Sequence, residues 1–302
     1  MRSTFRHIAA AFLVLVGADW VRAPDARATP LELLVPAYIY PAGEGLTMWT
    51  QIIDAASRVP VTAILNPNNG PYAPVEDTYV EGAYSTLLDS LHTAGGHALG
   101  YLTASYGEKS AADIYREVDA YLLRYSGQLD GFFVDELTDD GSAAHVGYFA
   151  DLYSYIKDKS PQLRVIGSPG VNTDEAYLTQ QTADVLTVFE NGGLEYPGFA
   201  PAPWANNYAP THFANIVYGT PSATDMIQFV HDASERNNAG LIYITDGGFD
   251  QLPGYWDAEV AAVAATQVPE PASIVLLSTG AFLVVRRMRQ RRRAALLRQE
   301  QF

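Results

Sequence analysis

Two adjacent acids close one apolar run, Gly131-Phe132-Phe133-Val134-Asp135-Glu136, and a single acid closes another, Val185-Leu186-Thr187-Val188-Phe189-Glu190. Carboxyl groups at the C-terminal lip of buried strands suit the cleavage of a glycosidic bond. One carboxyl donates a proton to the leaving oxygen and a second serves as nucleophile or base. A lone acid at a strand end commonly caps the next helix or accepts loop N–H groups. Three acids on two nearby strands favour catalysis over capping, because crowded carboxylates raise the pKa of one of them, as a general acid requires.

The elements that must position these acids follow from hydrophobic patterning. Short apolar runs at 33–40, 61–66, 98–105, 131–136, 163–168, 185–190, 213–219 and 240–245 read as strands. Helical spacing is clearest over 111–125, with Ile114, Val118, Tyr121, Leu122 and Tyr125 on one face, and continues at 144–157, 222–237 and 256–265. The strands are continuously apolar rather than alternating, as in a parallel sheet covered on both faces. Strand and helix alternating through eight strands predict an α/β fold, a single-domain (β/α)8 TIM barrel. An open doubly wound sheet is disfavoured, since no Gly-x-Gly-x-x-Gly turn follows the first strand. The stretch 191–212, rich in Pro, Gly and aromatics, is expected to be a long loop near the functional face with little regular helix.

In a parallel barrel the functional face lies where the strands end. Reading those ends collects Tyr38, Tyr40, Asn66, Tyr101, Ser105, Tyr106, Asp135, Glu136, Glu190, Asn191, Thr245 and Asp246. Tyrosines, amides and acids make a carbohydrate groove, with aromatic faces on sugar CH surfaces and polar groups on hydroxyls. Tyr38, Tyr40, Asn66, Tyr101, Tyr106, Asn191 and Asp246 are therefore the expected substrate contacts. Asn66-Pro67-Asn68-Asn69-Gly70-Pro71 reads as a turn, with Asn66 set apart by its place at the strand lip. Trp204, in the loop after the sixth strand, is either a stacking platform or a rigid loop anchor. The histidines (His7, His92, His97, His145, His212, His231) lack His-x-x-x-His spacing, so neither a metal nor any other cofactor is expected. Gly-x-Ser-x-Gly and Gly-Lys-Ser/Thr signatures are also absent.

The ends of the chain point to export. Residues 1–28 carry Arg2 and Arg6, an apolar stretch at 8–16, and Ala26-Arg27-Ala28, which together read as a secretory signal peptide. Residues 267–302 contain Val268-Pro269-Glu270-Pro271, an apolar stretch at 272–285, and Arg286, Arg287, Arg289, Arg291, Arg292 and Arg293. This order fits a stop-transfer element and resembles the PEP-CTERM sorting tail of Gram-negative bacteria that export polysaccharide. The resemblance implies transient membrane insertion through 272–285, processing by an exosortase after export by the secretion machinery, and delivery to the cell surface or extracellular matrix. A plain C-terminal membrane anchor is the alternative, although the apolar stretch is short for a span.

Between the tails, over 29–266, 8 Lys and Arg stand against 30 Asp and Glu, a net −22. Such a field argues against nucleic acid and anionic polymers as partners and suits cationic partners or simple solubility. The chain has no cysteine, which removes disulfides, thiolate metal sites and a cysteine nucleophile. A domain of this length buries a core without them.

Five motifs in order carry a family resemblance. They are 33–41 (Leu-Leu-Val-Pro-Ala-Tyr-Ile-Tyr-Pro), 63–67 with Gly70-Pro71, 100–107 (Gly-Tyr-Leu-Thr-Ala-Ser-Tyr-Gly), 130–136 and Val188-Phe189-Glu190. Together they resemble the spherulin 4 family, which includes glycoside hydrolase family 135, over most of the span from Leu33 to about Asp246. The resemblance implies a secreted (β/α)8 hydrolase acting on α-1,4-linked N-acetylgalactosamine within galactosaminogalactan, with Asp135, Glu136 and Glu190 at the positions of the catalytic acids.

The resulting expectation is an endo-acting glycoside hydrolase for an amino-sugar exopolysaccharide of a biofilm matrix. Glu136 or Glu190 is the proton donor, the other the nucleophile or base, and Asp135 a hydrogen-bonding partner of one of them or of a substrate N-acetyl group. The rival is a non-catalytic surface protein binding polysaccharide in the same groove, and a barrel serving only as scaffold is a third reading.

Overall fold

A computed structural model describes residues 30–71 and 78–267. The expected signal peptide at 1–28 and the expected sorting tail at 267–302, apart from Gln267, lie outside the described residues, its apolar stretch at 272–285 included. Among the described residues no helix is long and apolar enough to cross a membrane.

Eight parallel strands pair in sequence order and close into a barrel: β1 (Glu32–Ala37), β2 (Val61–Leu65), β3 (His97–Thr103), β4 (Gly131–Asp135), β5 (Arg164–Ser168), β6 (Val185–Gly192), β7 (Phe213–Tyr218) and β8 (Leu241–Ile244), with β8 returning to β1. The fold is the (β/α)8 barrel that continuous apolar strands separated by helices predict. Strand residues such as Leu33, Ile64, Leu99, Phe132 and Ile166 have no exposed surface because each strand is covered inside and out.

The helices α1 (Glu44–Ala56), α2 (Thr78–Thr93), α3 (Ala111–Arg124), α4 (Ala143–Lys159), α5 (Ala176–Thr179), α6 (Ala223–Glu235) and α7 (Trp256–Gln267) occupy the connections. Three begin on a serine: Ser110, Ser142 and Ser222 accept from the N–H groups of Asp113, His145 and Asp225, satisfying donors that the first helical turn cannot pair internally. Tyr121 of α3 is fully buried, meets Phe132 of β4 edge-on at 6.0 Å and donates to the Leu65 carbonyl at 3.0 Å. Gly100 makes this docking possible, since a Cβ there would stand 3.0 Å from the Tyr121 ring. Truncating Phe132 or Tyr121 to alanine is expected to cost about 3–5 kcal/mol.

At the N-terminal floor of the barrel Glu32 of β1 and Arg164 of β5 reach across the interior and meet at 2.9 and 3.0 Å, with the Thr62 hydroxyl donating to Glu32. The ion pair satisfies two polar groups where an apolar plug would otherwise be needed. At the opposite end several strands stop differently from their apolar runs. β1 ends at Ala37, and the Tyr38 N–H turns to the Phe249 carbonyl of the β8–α7 loop (3.1 Å), so Tyr38 and Tyr40 lie beyond the strand. β6 instead runs on to Gly192 because Asn191 and Gly192 continue to pair with Val217 and Tyr218 of β7. The stretch after β6 holds only three short 3₁₀ turns, at Tyr196–Gly198, Pro203–Asn207 and Pro210–His212.

Candidate active site

The ends of β4 and β6 bring the three acids into one place. An open pocket of about 340 Å³ at the C-terminal mouth of the barrel is lined by Tyr106, Asp135, Glu136, Ser168, Pro169, Gly170, Val171, Glu190 and Tyr218.

Asp135 is the last residue of β4 and faces inward, where Tyr101 of β3 donates to its Oδ2 at 2.7 Å and the Glu136 N–H to its Oδ1 at 2.8 Å. Burial raises its pKa, those two donors pull it back, and the neighbouring Glu136 charge raises it again. Glu136 follows with φ 57°, in the left-handed region where a side chain other than glycine is strained. Its Oε2 is fixed by the Ser105 N–H at 3.1 Å and the Thr103 hydroxyl at 2.5 Å. Ser105 and Tyr106 are themselves left-handed, at φ 47° and 54°, and the Tyr106 N–H donates to the Glu136 carbonyl at 2.9 Å. Three strained residues thus lock one another around the pocket, a pattern that accumulates at functional sites.

Glu190 comes from β6 through an irregularity. The register against β7 slips between Thr187 and Phe189, and the segment after β5 inserts there: the Gly170 N–H donates to the Thr187 carbonyl (3.0 Å) and the Glu190 N–H to the Gly170 carbonyl (2.8 Å). Gly170 has φ 69°, and a Cβ on it would stand 3.4 Å from the Glu190 Cβ, so glycine suits both the backbone and the contact. The Ser168 hydroxyl donates to Glu190 Oε2 at 3.2 Å. Burial, then the charge of Asp135, push the Glu190 pKa up to about 7, against the Ser168 bond, which lowers it. The site therefore sets one carboxyl whose pKa is pushed up to about 7 beside two acids braced by donors. General acid–base work needs that division. Among the described residues no three His, Asp or Glu side chains converge to hold a metal ion.

The other expected contacts divide. Tyr106, 59% exposed, lines the pocket, and Tyr38 lies beneath it, its pKa raised by burial and by the charges of Asp135 and Glu190. Tyr101 is at the site but only 5% exposed, stacked on Phe133 and edge-on to Tyr38, so it is a donor to Asp135 rather than a sugar platform. Tyr40 is exposed but is not part of the pocket wall, because the chain leaves β1 early. Asn66 closes its own turn by accepting the Gly70 N–H at 3.2 Å. Asp246 likewise accepts the Gly254 N–H at 3.2 Å. Asn191 accepts from the Gly192 N–H and the Tyr218 hydroxyl, standing one step behind the pocket wall. Trp204 is a loop anchor, donating to the Thr173 carbonyl at 3.1 Å and packed on Tyr208 and Phe213. Ser105 contributes its N–H to Glu136, and the Thr245 hydroxyl accepts the Gly247 N–H.

Ser168, Gly170, Val171 and Tyr218 are pocket residues that the strand-end reading passes over. Ser168 and Tyr218 end the fifth and seventh strands, and the same rule applied to those ends would have found them.

The family model for Spherulation-specific family 4 matches residues 32–263, the whole barrel. The chain belongs to this family. Within it, Spherulin-4 of Physarum polycephalum is 30% identical over 249 residues, spanning 78% of this chain and 71% of that protein. Among solved structures, Aspergillus clavatus Sph3 in complex with GalNAc superposes with a TM-score of 0.68 at 22% identity, covering 79% of this chain and 99% of that one. Dispersin B shares the barrel at a TM-score of 0.50 and 9% identity, covering 79% and 98%.

Proposed function

We propose that this spherulin 4 member is a glycoside hydrolase that cleaves within an amino-sugar exopolysaccharide, with α-1,4-linked N-acetylgalactosamine as the favoured substrate class. The observation that carries the reading is the pairing of Glu190, protonated up to about pH 7, with the braced carboxylates Asp135 and Glu136 in one open pocket. Membership of the family and the sugar bound to Sph3 support the substrate class.

In this reading Glu190 protonates the glycosidic oxygen as the C1–O bond breaks. Glu136 is the nucleophile or the base that activates water: its Oε2 is held by Thr103 and Ser105, which leaves Oε1 to act. Both oxygens of Asp135 are already engaged, by Tyr101 and by the Glu136 N–H. Its role is electrostatic, keeping the proton on Glu190. If Glu136 attacks C1, Glu190 then takes the proton of the water that hydrolyses the glycosyl–enzyme bond; if Glu136 is the base, it takes the water proton and exchanges it with solvent, from which Glu190 is reprotonated. Export by the leader at 1–28 and sorting through the tail at 267–302 would place the enzyme at the cell surface or in the matrix.

The test incubates the purified mature chain with partly deacetylated α-1,4-galactosaminogalactan and a panel of other matrix polysaccharides, reading products by mass spectrometry beside Glu190→Gln and Glu136→Gln. Oligosaccharides from the wild type alone support the hydrolase. Binding without products in all three proteins would replace it with the polysaccharide-binding reading. Full activity in both variants would remove the catalytic roles.

A further inference from the structure

The segment after β8 folds over one side of the barrel mouth, where the Phe249 carbonyl accepts the Tyr38 N–H at 3.1 Å and the Phe249 ring packs against Tyr38 at 5.7 Å and Tyr243 at 6.4 Å. The open pocket follows the arc from β3 to β7, with Tyr106 beyond β3 at one end and Tyr218 of β7 at the other. In strand order the residues between them are Asp135, which ends β4, and Glu136 just after it, Ser168, which ends β5, and Val171 beyond it, and Glu190 on β6. Each end of the acid set is therefore flanked by one exposed tyrosine.

Tyr218 is held as a platform would be. It is 40% exposed, although it ends a strand whose five preceding residues are buried. Its register partner on β6 is Gly192, so the neighbouring strand offers no side chain beside the ring. The hydroxyl donates to Asn191 Oδ1 at 3.2 Å, and its carbonyl accepts the Gly193 N–H at 2.8 Å. A large ring that is fixed at its tip and its backbone, yet left in water beside a carboxyl pocket, is preorganised to stack on an apolar ligand face.

We infer that Tyr218 is the stacking platform of a second sugar subsite, on the Glu190 side of the scissile bond, with Tyr106 serving the sugar on the Glu136 side. The inference rests on the glycosidase reading of the same pocket. The departing sugar sits beside the acid that protonates its oxygen, so Tyr218 takes the leaving-group unit and Tyr106 the unit attacked at C1. The acids then lie over a linkage between two held sugars.

The test compares Y218A, Y218F and Y218W in two arms. The first measures kcat/KM on the polymer and the lengths of the products. The second measures the affinity of Glu190→Gln protein, with and without each Tyr218 change, for α-1,4-linked N-acetylgalactosamine oligosaccharides of increasing length. Y218A is expected to lose roughly 10-fold in both kcat/KM and affinity, with Y218W restoring both and Y218F, which keeps the ring, falling between. Wild-type kcat/KM and unchanged affinity in Y218A would overturn the subsite. A wild type that turns over no glycan overturns the hydrolase reading instead, and the binding arm then decides Tyr218 alone. Affinity lost in Y218A and regained in Y218W upholds the platform, whereas unchanged affinity or no binding removes it.

Discussion

Replacing Ser168 with alanine removes the hydroxyl that donates to Glu190 at 3.2 Å, and the consequence can be worked through to a pH profile. Moving a carboxyl from 4.5 to about 7 corresponds to about 3 kcal/mol of preference for its protonated form. Burial supplies the largest part, the Asp135 charge adds to it, and the Ser168 bond opposes both because it favours the carboxylate. A hydrogen bond of that length to a charged acceptor is worth about 1 kcal/mol. Its loss should therefore raise the alkaline limb of the kcat/KM profile by roughly 0.7 pH units. Asp135→Asn removes the repelling charge and should move the same limb down, while burial still holds it above the ordinary carboxylate range. The assay is kcat/KM against pH on soluble oligosaccharides for the wild type and both variants, since that ratio reports groups of the free enzyme. Limbs that move in the same direction, or an S168A limb that stays in place, would refute the assignment of the proton to Glu190.

Other consequences follow from the same geometry. A raised carboxyl contributes stability that is complete below its unfolded pKa and is lost as pH climbs toward about 7. Glu190→Gln should thus raise the melting temperature by several degrees at pH 8 and by little at pH 4, with about 3 kcal/mol as the upper bound. Equal shifts at both pH values would contradict the buried proton. Gly170→Ala places a side chain on a φ of 69° and against the Glu190 Cβ, so it should destabilise by about 1–2 kcal/mol and lower kcat more than 10-fold; wild-type kcat would show that this insertion does not position the acid. Trp204→Phe keeps the ring packing but loses the bond to Thr173, and should lower stability by about 1 kcal/mol while leaving KM unchanged. A raised KM with unaltered melting would return Trp204 to the sugar groove. Arg164→Met leaves Glu32 with the Thr62 hydroxyl but without its cationic partner in the barrel floor and should cost about 2–3 kcal/mol in denaturant unfolding with kcat intact.

The architecture was legible because a strand buried on both faces must be apolar throughout, and eight such runs separated by helical stretches admit few arrangements. The strand-end rule also led directly to Asp135, Glu136, Glu190 and Tyr106, since it depends only on where a run stops. It failed where side-chain direction mattered. Tyr101 and Tyr106 lie five residues apart in one motif, yet the first points into the barrel to hold Asp135 and the second turns outward on a left-handed backbone. Asn66, Asp246 and Trp204 have the residue types of a sugar groove, but each bonds its own loop or the one beside it.

What the sequence by itself determined is the barrel, the family and the place of the acids, because hydrophobic period and strand ends are local properties of the chain. The tertiary structure alone decided that Glu190 is buried, with its pKa pushed up to about 7, and which tyrosines line the pocket. Burial of Glu190, its closeness to Asp135 and the insertion of Gly170 beside β6 arise from segments distant in sequence, and a pKa responds to the solvent and charges that those contacts exclude or bring near.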